Sequence, residues 1–284
     1  MMDELQGLLP TLPRRGVVMT GLIAGFTLAT TRVDAQAITT DSQGLVAGAT
    51  QIPAGDGAML PAYVAKPTGA GPFPVVLVIE EIFGVHEYIK DICRRLAKEG
   101  YLAVAPELYA RIADLSTMTD AGAIVRDVIS KAPDALMLSD LDSAASWAFA
   151  NGGDSGRLAI TGFCRGGRGA WMYDAHTPKV RAAVAWYGPV GGQTSTIQPS
   201  TAADAAPQLN APLLGLYGGK DTGIPPDSVQ AAAAKARDAG KKVEIVIYPD
   251  AGHGFHADYR PSYNKEAAED GWKRMLAWFR ANGV

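Results

Sequence analysis

Two cysteines and four histidines in 284 residues are too few for a disulfide-stapled scaffold. No His/Cys/Asp cluster has the spacing of a metal site, so neither a metal nor another cofactor is expected. The charge is nearly balanced, 26 Lys and Arg against 29 Asp and Glu, and no basic stripe interleaves with aromatics. That excludes a nucleic-acid partner of the usual electrostatic kind. The chain also lacks an apolar run of about 20 residues, the length needed to cross a bilayer. Internal repeats and low-complexity tracts are absent. What remains is ordinary globular composition, 48% hydrophobic and 19% charged, in a chain long enough to bury a sizeable core.

The amino-terminal stretch is different in kind. Arg14-Arg15 precede an uncharged, moderately apolar run from Gly16 to Thr31, and Ala35-Gln36-Ala37 follow it. A basic pair, a short apolar run and an Ala-x-Ala exit have the layout of an export signal. The paired arginines resemble a twin-arginine signal, although Pro13 and Gly16 flank them where the fuller pattern has Ser or Thr and a polar residue. The expectation is a signal over 1–37 that leaves no stable membrane span once removed. A single domain over 38–284 would follow, exported to a bacterial periplasm.

From residue 38 the pattern is that of an α/β protein. "GLVAGATQIPAGDGAMLPAYVAKP" reads as two short antiparallel strands joined by Gly/Pro turns. "VVLVIEEIFG" is a continuous apolar run ending in acids, as a strand buried on both faces reads. "EYIKDICRRLAKEG" places Ile89, Ile92, Cys93, Leu96 and Ala97 at helical spacing. Strands follow at "YLAVAPELYA", "GRLAITG", "VRAAVAWYG", "PLLGLYG" and "KVEIVIYP". Helices fall at Ser139–Ala150, "RGAWMYDA", "PDSVQAAAAKARDAG" and Ser262–Ala281. Alternating strands and helices predict a mostly parallel sheet covered on both faces.

One of the two cysteines has an informative setting. "TGFCRGG" puts Cys164 between a strand and a helix, with Gly162 and Gly166 two residues to either side. This is the nucleophile-elbow pattern G-x-S-x-G with cysteine in place of serine. A helix amino terminus there favours a thiolate and any developing oxyanion. Cys93, on the apolar face of its helix, reads as an inert core thiol. A thiol nucleophile needs a base, and the base an orienting acid. His253 follows the last strand in "YPDAGHGFHAD", with His256 as rival base. Asp221 follows an earlier strand in "LYGGKDTGIP", with Asp250 as rival acid in what reads as a turn. His256 is assigned to the substrate pocket, and His86, which opens a helix, to a local role. The order nucleophile, acid, histidine is that of the α/β-hydrolase fold.

With these residues in view, the chain resembles the dienelactone hydrolase (carboxymethylenebutenolidase) family. The motifs are "EIFGVHEYIKDICRRLAKEGY", "PELYAR", "GFCRGG", "GGKDTGIP" and "DAGHGFHADYRP", spread over about residues 50 to 282. The resemblance implies a triad of Cys164, His253 and Asp221, and a Glu81 that contacts the nucleophile. It implies an oxyanion hole from the backbone amides of Ile82 and Arg165, and an Arg111 that holds a substrate carboxylate. Glu80, beside Glu81, is read as solvated. The side chains of Arg165 and Arg168 are read as scaffold or rim. The family's second carboxylate-binding arginine falls at Ala257, and Arg260, three residues on, is the candidate replacement. The implied substrate is a small ester or lactone, with or without a carboxylate. A general carboxylesterase and a non-catalytic binding protein are the alternatives, since a fold alone does not fix function.

Overall fold

The structure is a computed structural model in which residues 38–284 are described. Its frame is an eight-stranded sheet in the order β1-β2-β4-β3-β5-β6-β7-β8. β1 (Leu45–Pro53) and β2 (Met59–Pro67) form an antiparallel hairpin, and β2 pairs antiparallel with β4 (Leu102–Pro106). From there every pairing is parallel: β3 (Phe73–Ile79), β5 (Gly153–Phe163), β6 (Val180–Trp186), β7 (Leu213–Gly218) and β8 (Val243–Tyr248). This is an α/β-hydrolase fold.

Both faces of the central strands are buried, and the side-chain period of two divides β3 between two cores. Val76 and Val78 join one cluster with Ile89, Ile92 and Leu96 of α1 (Glu87–Lys98) and Met275 and Phe279 of α7 (Lys265–Ala281). Val75, Leu77 and Ile79 join the other. Their partners there are Leu141 and Ala145 of α3 (Asp134–Ala150), Trp171 of α4 (Arg165–His176) and Val229 of α6 (Pro226–Asp238). Cys93 belongs to the first core, where burial pushes its thiol pKa up. Both cysteines are free thiols.

Two α-helices go beyond the sequence reading. α2 (Ala121–Asp127) is capped by Asp120, which accepts from the Ala123 amide, and α5 (Ala202–Ala205) by a reciprocal Thr201–Asp204 capping box. α3 begins five residues before the expected Ser139, at Asp134, where an acid in the first turn suits a helix amino terminus. Among the described residues no helix is long and apolar enough to cross a membrane.

Candidate active site

β5 ends at Phe163 and α4 begins at Arg165, so Cys164 alone makes the turn between them. Its backbone sits at φ 54° and ψ −121°, a region that non-glycine residues seldom occupy. Such strain persists only where the surroundings enforce it, and it clusters at functional sites. The flanking glycines enforce it here. A Cβ on Gly162 would lie 2.0 Å from the Gly166 carbonyl oxygen, and one on Gly166 would lie 2.4 Å from that of Ile79. The elbow therefore packs backbone to backbone against the end of β3. That contact brings the start of α4, with the Arg165 amide, to the strand end that leads into Ile82. The first amides of a helix have no intrahelical acceptor.

The loop after β7 supplies Asp221. Its Oδ1 accepts hydrogen bonds from the Gly223 and Ile224 amides at 2.9 and 3.1 Å, which fixes the carboxylate. Its Oδ2 lies 2.8 Å from Nδ1 of His253, in the loop after β8. An acceptor at Nδ1 assigns the proton to that nitrogen and turns Nε2 toward the other partner, Cys164, with which His253 also interacts. Burial alone would lower the histidine's pKa. Attraction to Cys164 and the hydrogen bonds to Asp221 and Cys164 outweigh it and hold the value up at about 10. Asp250, the rival acid, makes an exposed pair with Lys220 instead.

Glu81 lies one layer out and is fully buried. Its Oε1 is 3.0 Å from Nη2 of Arg260, and its Oε2 accepts from the Tyr259 hydroxyl at 2.6 Å and lies 3.4 Å from His86 Nε2. Burial by itself would raise this carboxyl's pKa, but the Arg260 charge, with help from His86 and Tyr259, brings it down to about 2. Hydrogen bonds and ion pairs thus tie Glu81 to Arg260, Tyr259 and His86, and a bond to the nucleophile is not among them. Arg260 is itself buried, with its guanidinium over the Phe83 and Tyr259 rings. Its Nε donates to the Tyr259 hydroxyl at 2.9 Å and Nη2 pairs with Glu81, while Nη1 has no hydrogen-bond partner among the described residues. Ala257 sits in the apolar core, where a long cationic side chain has no place. Arg260, three residues further on, reaches Glu81.

Four expectations need revision. Arg111 is held by Asp56 and, at 2.5 Å, by Asp140, so two carboxylates already occupy the guanidinium expected to grip a substrate. His256 does not line the triad. Its Nδ1 lies 2.7 Å from the Tyr88 hydroxyl, its ring packs on Trp186 and Trp272, and burial lowers its pKa to about 3, so it is a neutral core imidazole. Glu80 is not solvated. It is fully buried, accepts from the Leu108 amide at 2.8 Å, and is pushed toward its neutral form by burial and by Glu107. It lines a cavity of about 190 Å³ with Phe83, His86 and Tyr109. His86 is more than a local helix opener, since it reaches Glu81. The arginines of α4 are scaffold: Arg168 grips Asp134 through two 2.7 Å bonds, and Arg165 donates to Gln198 at 2.9 Å. Sequence reasoning passed over Tyr259, although it sits beside Arg260 in "HADYRP".

These placements predict different outcomes for the two histidines. His253→Ala is expected to cost at least a hundredfold more in kcat than His256→Ala, since only His253 meets both Cys164 and Asp221. The loss in His256→Ala should appear in thermal unfolding. Equal kcat losses would show that the wrong histidine is assigned as base.

Comparison with known proteins agrees with the fold. A model of the "Dienelactone hydrolase family" matches residues 60–283. A Methylorubrum extorquens protein named "Putative carboxymethylenebutenolidase" is 55% identical over 276 residues, 96% of this chain and 94% of its own. An Escherichia coli protein of the same name is 52% identical over 261 residues, 92% of this chain and 96% of its own. A solved structure titled "Putative Dienelactone Hydrolase", from Klebsiella pneumoniae, is 54% identical with a TM-score of 0.81, covering 83% of this chain and 98% of its own. An elbow on β5, an acid after β7 and a histidine after β8 thus stand in a chain that matches these hydrolases over nearly its whole length. The chain belongs to the dienelactone hydrolase family and is a hydrolase enzyme.

Proposed function

We propose that the enzyme cleaves an ester or lactone through a covalent acyl-cysteine, with Cys164, His253 and Asp221 as the triad. The observation that carries this reading is the Cys164 elbow, with His253 bound to Asp221 and interacting with Cys164. The raised pKa of His253 favours a protonated imidazole beside the sulfur at neutral pH. The Cys164 sulfur attacks the carbonyl carbon, and the carbonyl electron pair moves to oxygen. The Ile82 and Arg165 amides stabilise that oxyanion. Collapse breaks the ester bond, and the leaving alkoxide takes the proton from His253. His253 then removes a proton from water, the hydroxide attacks the thioester, and Cys164 leaves as thiolate. Asp221 keeps the imidazole in the tautomer both steps need.

The substrate is proposed to be a small ester or lactone, with Arg260 as the group that meets a carboxylate. Its Nη2 pairs with Glu81, but its Nη1 is buried without a hydrogen bond among the described residues, a state that an anionic ligand would relieve. A general carboxylesterase is the second reading, favoured by Ala257 and by the engagement of Arg111 with Asp56 and Asp140. Measuring kcat/KM for a carboxylated lactone and its methyl ester separates them. Arg260→Lys keeps the charge and loses the fork. It should cut the preference for the carboxylated substrate by about tenfold to a hundredfold. Arg111→Ala should leave the preference unchanged. A preference that falls with Arg111→Ala would make Arg111 the clamp, and no preference in the wild type would leave the general esterase.

Export to the periplasm is part of the same proposal. Residues 1–37 lie outside the described residues, and the support is their signal-like sequence. A nucleophile only 1% exposed is suited to an oxidising compartment, where open thiols are at risk. Changing Arg14-Arg15 to Lys-Lys should retain the precursor inside the cell, and continued export would point to the general secretory route.

A further inference from the structure

The first described residues are received by two buried carboxylates. The backbone nitrogen of Ile38 donates to Oδ2 of Asp258 at 3.1 Å. Two residues on, the Thr40 amide and hydroxyl reach Asp91 at 2.6 and 3.3 Å, and Arg94 donates to the Thr40 carbonyl at 2.8 Å. Asp91 and Asp258 are each 2% exposed. The ion pairs around them use Asp91, Asp258 and Glu87 on one side and Arg94 and Arg95 on the other. Glu87 is exposed, so the buried part of this network sets two carboxylates, Asp91 and Asp258, against two guanidiniums. Arg95 is shared by both buried acids.

The sequence places an Ala-x-Ala exit at Ala35-Gln36-Ala37. A cut there makes Ile38 the first residue. In the uncut chain its nitrogen is a neutral amide. In the cut chain the same nitrogen is an ammonium, 3.1 Å from a buried carboxylate whose one guanidinium, Arg95, is shared with Asp91. We propose that Ile38 is the mature amino terminus and that its α-ammonium docks on Asp258, bracing the loop that carries the catalytic histidine. This rests on the export reading of residues 1–37. Asp258 lies five residues after His253 and directly before Tyr259 and Arg260, which hold Glu81. The loop between is a chain of turns, Ala257 to Gly254 and Arg260 to Ala257, so a tether at Asp258 acts on its middle. Removing the leader would then do more than release the protein. It would supply a second cation to Asp258 and so brace this loop.

The test uses the full chain with a sequence-specific protease site introduced within residues 31–37, measured before and after a cut directly before Ile38. Every strand, helix and core residue described lies beyond that cut. Cutting should raise Tm by about 2–5 °C, the shift expected for one new partly buried ion pair in a domain of this size. Chains cut to begin at Ala37 or Thr39 put the ammonium one residue out of register and should not gain it. The Ile38 amine should also react with an acylating reagent at least tenfold more slowly than the amine of the Thr39 chain. Asp258→Asn should erase the gain. If that variant does not fold, the comparison of the three termini decides. Equal Tm values for all three, or equal acylation rates, would overturn the docking. Amino-terminal sequencing of exported protein should read Ile38, and any other first residue would overturn the processing while leaving the in vitro comparison to judge the docking.

Discussion

Replacing Cys164 with alanine is expected to lower turnover of a simple aryl ester by about a thousandfold or more, with the fold retained. In the proposed mechanism the sulfur is the atom that forms and breaks the acyl bond, so no neighbouring group can substitute for it. The elbow geometry should survive, because it is imposed by Gly162 and Gly166 against the end of β3 rather than by the side chain. The same variant carries a second readout. His253 is held up at about 10 in part by Cys164, through both charge and a hydrogen bond. With the sulfur gone, burial regains ground and the imidazole should titrate lower. Nitrogen-detected NMR of the histidine rings reads this directly. Near-normal turnover would remove Cys164 from the mechanism, and an unchanged His253 titration would remove the thiol–imidazole pairing.

The second large effect lies at Arg260. Replacing it with methionine leaves Glu81 buried without its main counter-charge, a type of change that costs about 3–5 kcal/mol. Adding Glu81→Gln to the same chain should restore much of that loss, and the double-mutant cycle isolates the pair. The pH dependence gives an independent check. The Glu81 carboxyl falls from an ordinary 4.5 to about 2 in the folded chain. Its stabilising contribution is therefore fully present above pH 4.5 and is lost as the pH falls toward 2. In Arg260→Met burial is left to act with less opposition, and the folded value should rise above the unfolded one. That variant should gain stability, not lose it, as the pH falls from 7 to 5. A protein as stable as the wild type, with unchanged acid sensitivity, would show that the buried pair is not what holds this layer together.

The proposed triad is legible in the sequence for a physical reason. Cys164, Asp221 and His253 each follow their own strand directly, and in a parallel sheet all strand ends meet at one edge. The strands were equally legible, since continuous apolar runs such as "VVLVIEE" have few other interpretations. The layer around the triad was not. Glu81 and Arg260 meet only because the turns after His253 carry Arg260 back over β3, and no periodicity encodes that path. Arg111 occupies the expected loop. What decides its role is Asp56 in the β1–β2 turn and Asp140 on α3, both remote in sequence. His256 reads as a pocket residue because it stands three residues after His253 in the same loop. Its hydrogen bond to Tyr88 makes it a satisfied member of an aromatic core instead. The start of α3 was missed because its first turn, "DALML", has no polar face to mark helical spacing.

The central claim is that Cys164 becomes acylated. The most direct measurement is rapid acid quench during turnover of an aryl ester with a bulky, slowly released acyl group, followed by mass analysis of the intact chain and its peptides. The expected result is a single added acyl mass, mapped to the peptide that contains Cys164, formed in a burst with one equivalent of released phenol and absent from Cys164→Ala. Turnover without a burst and without any adduct, or an adduct on another residue that Cys164→Ala retains, would contradict the account.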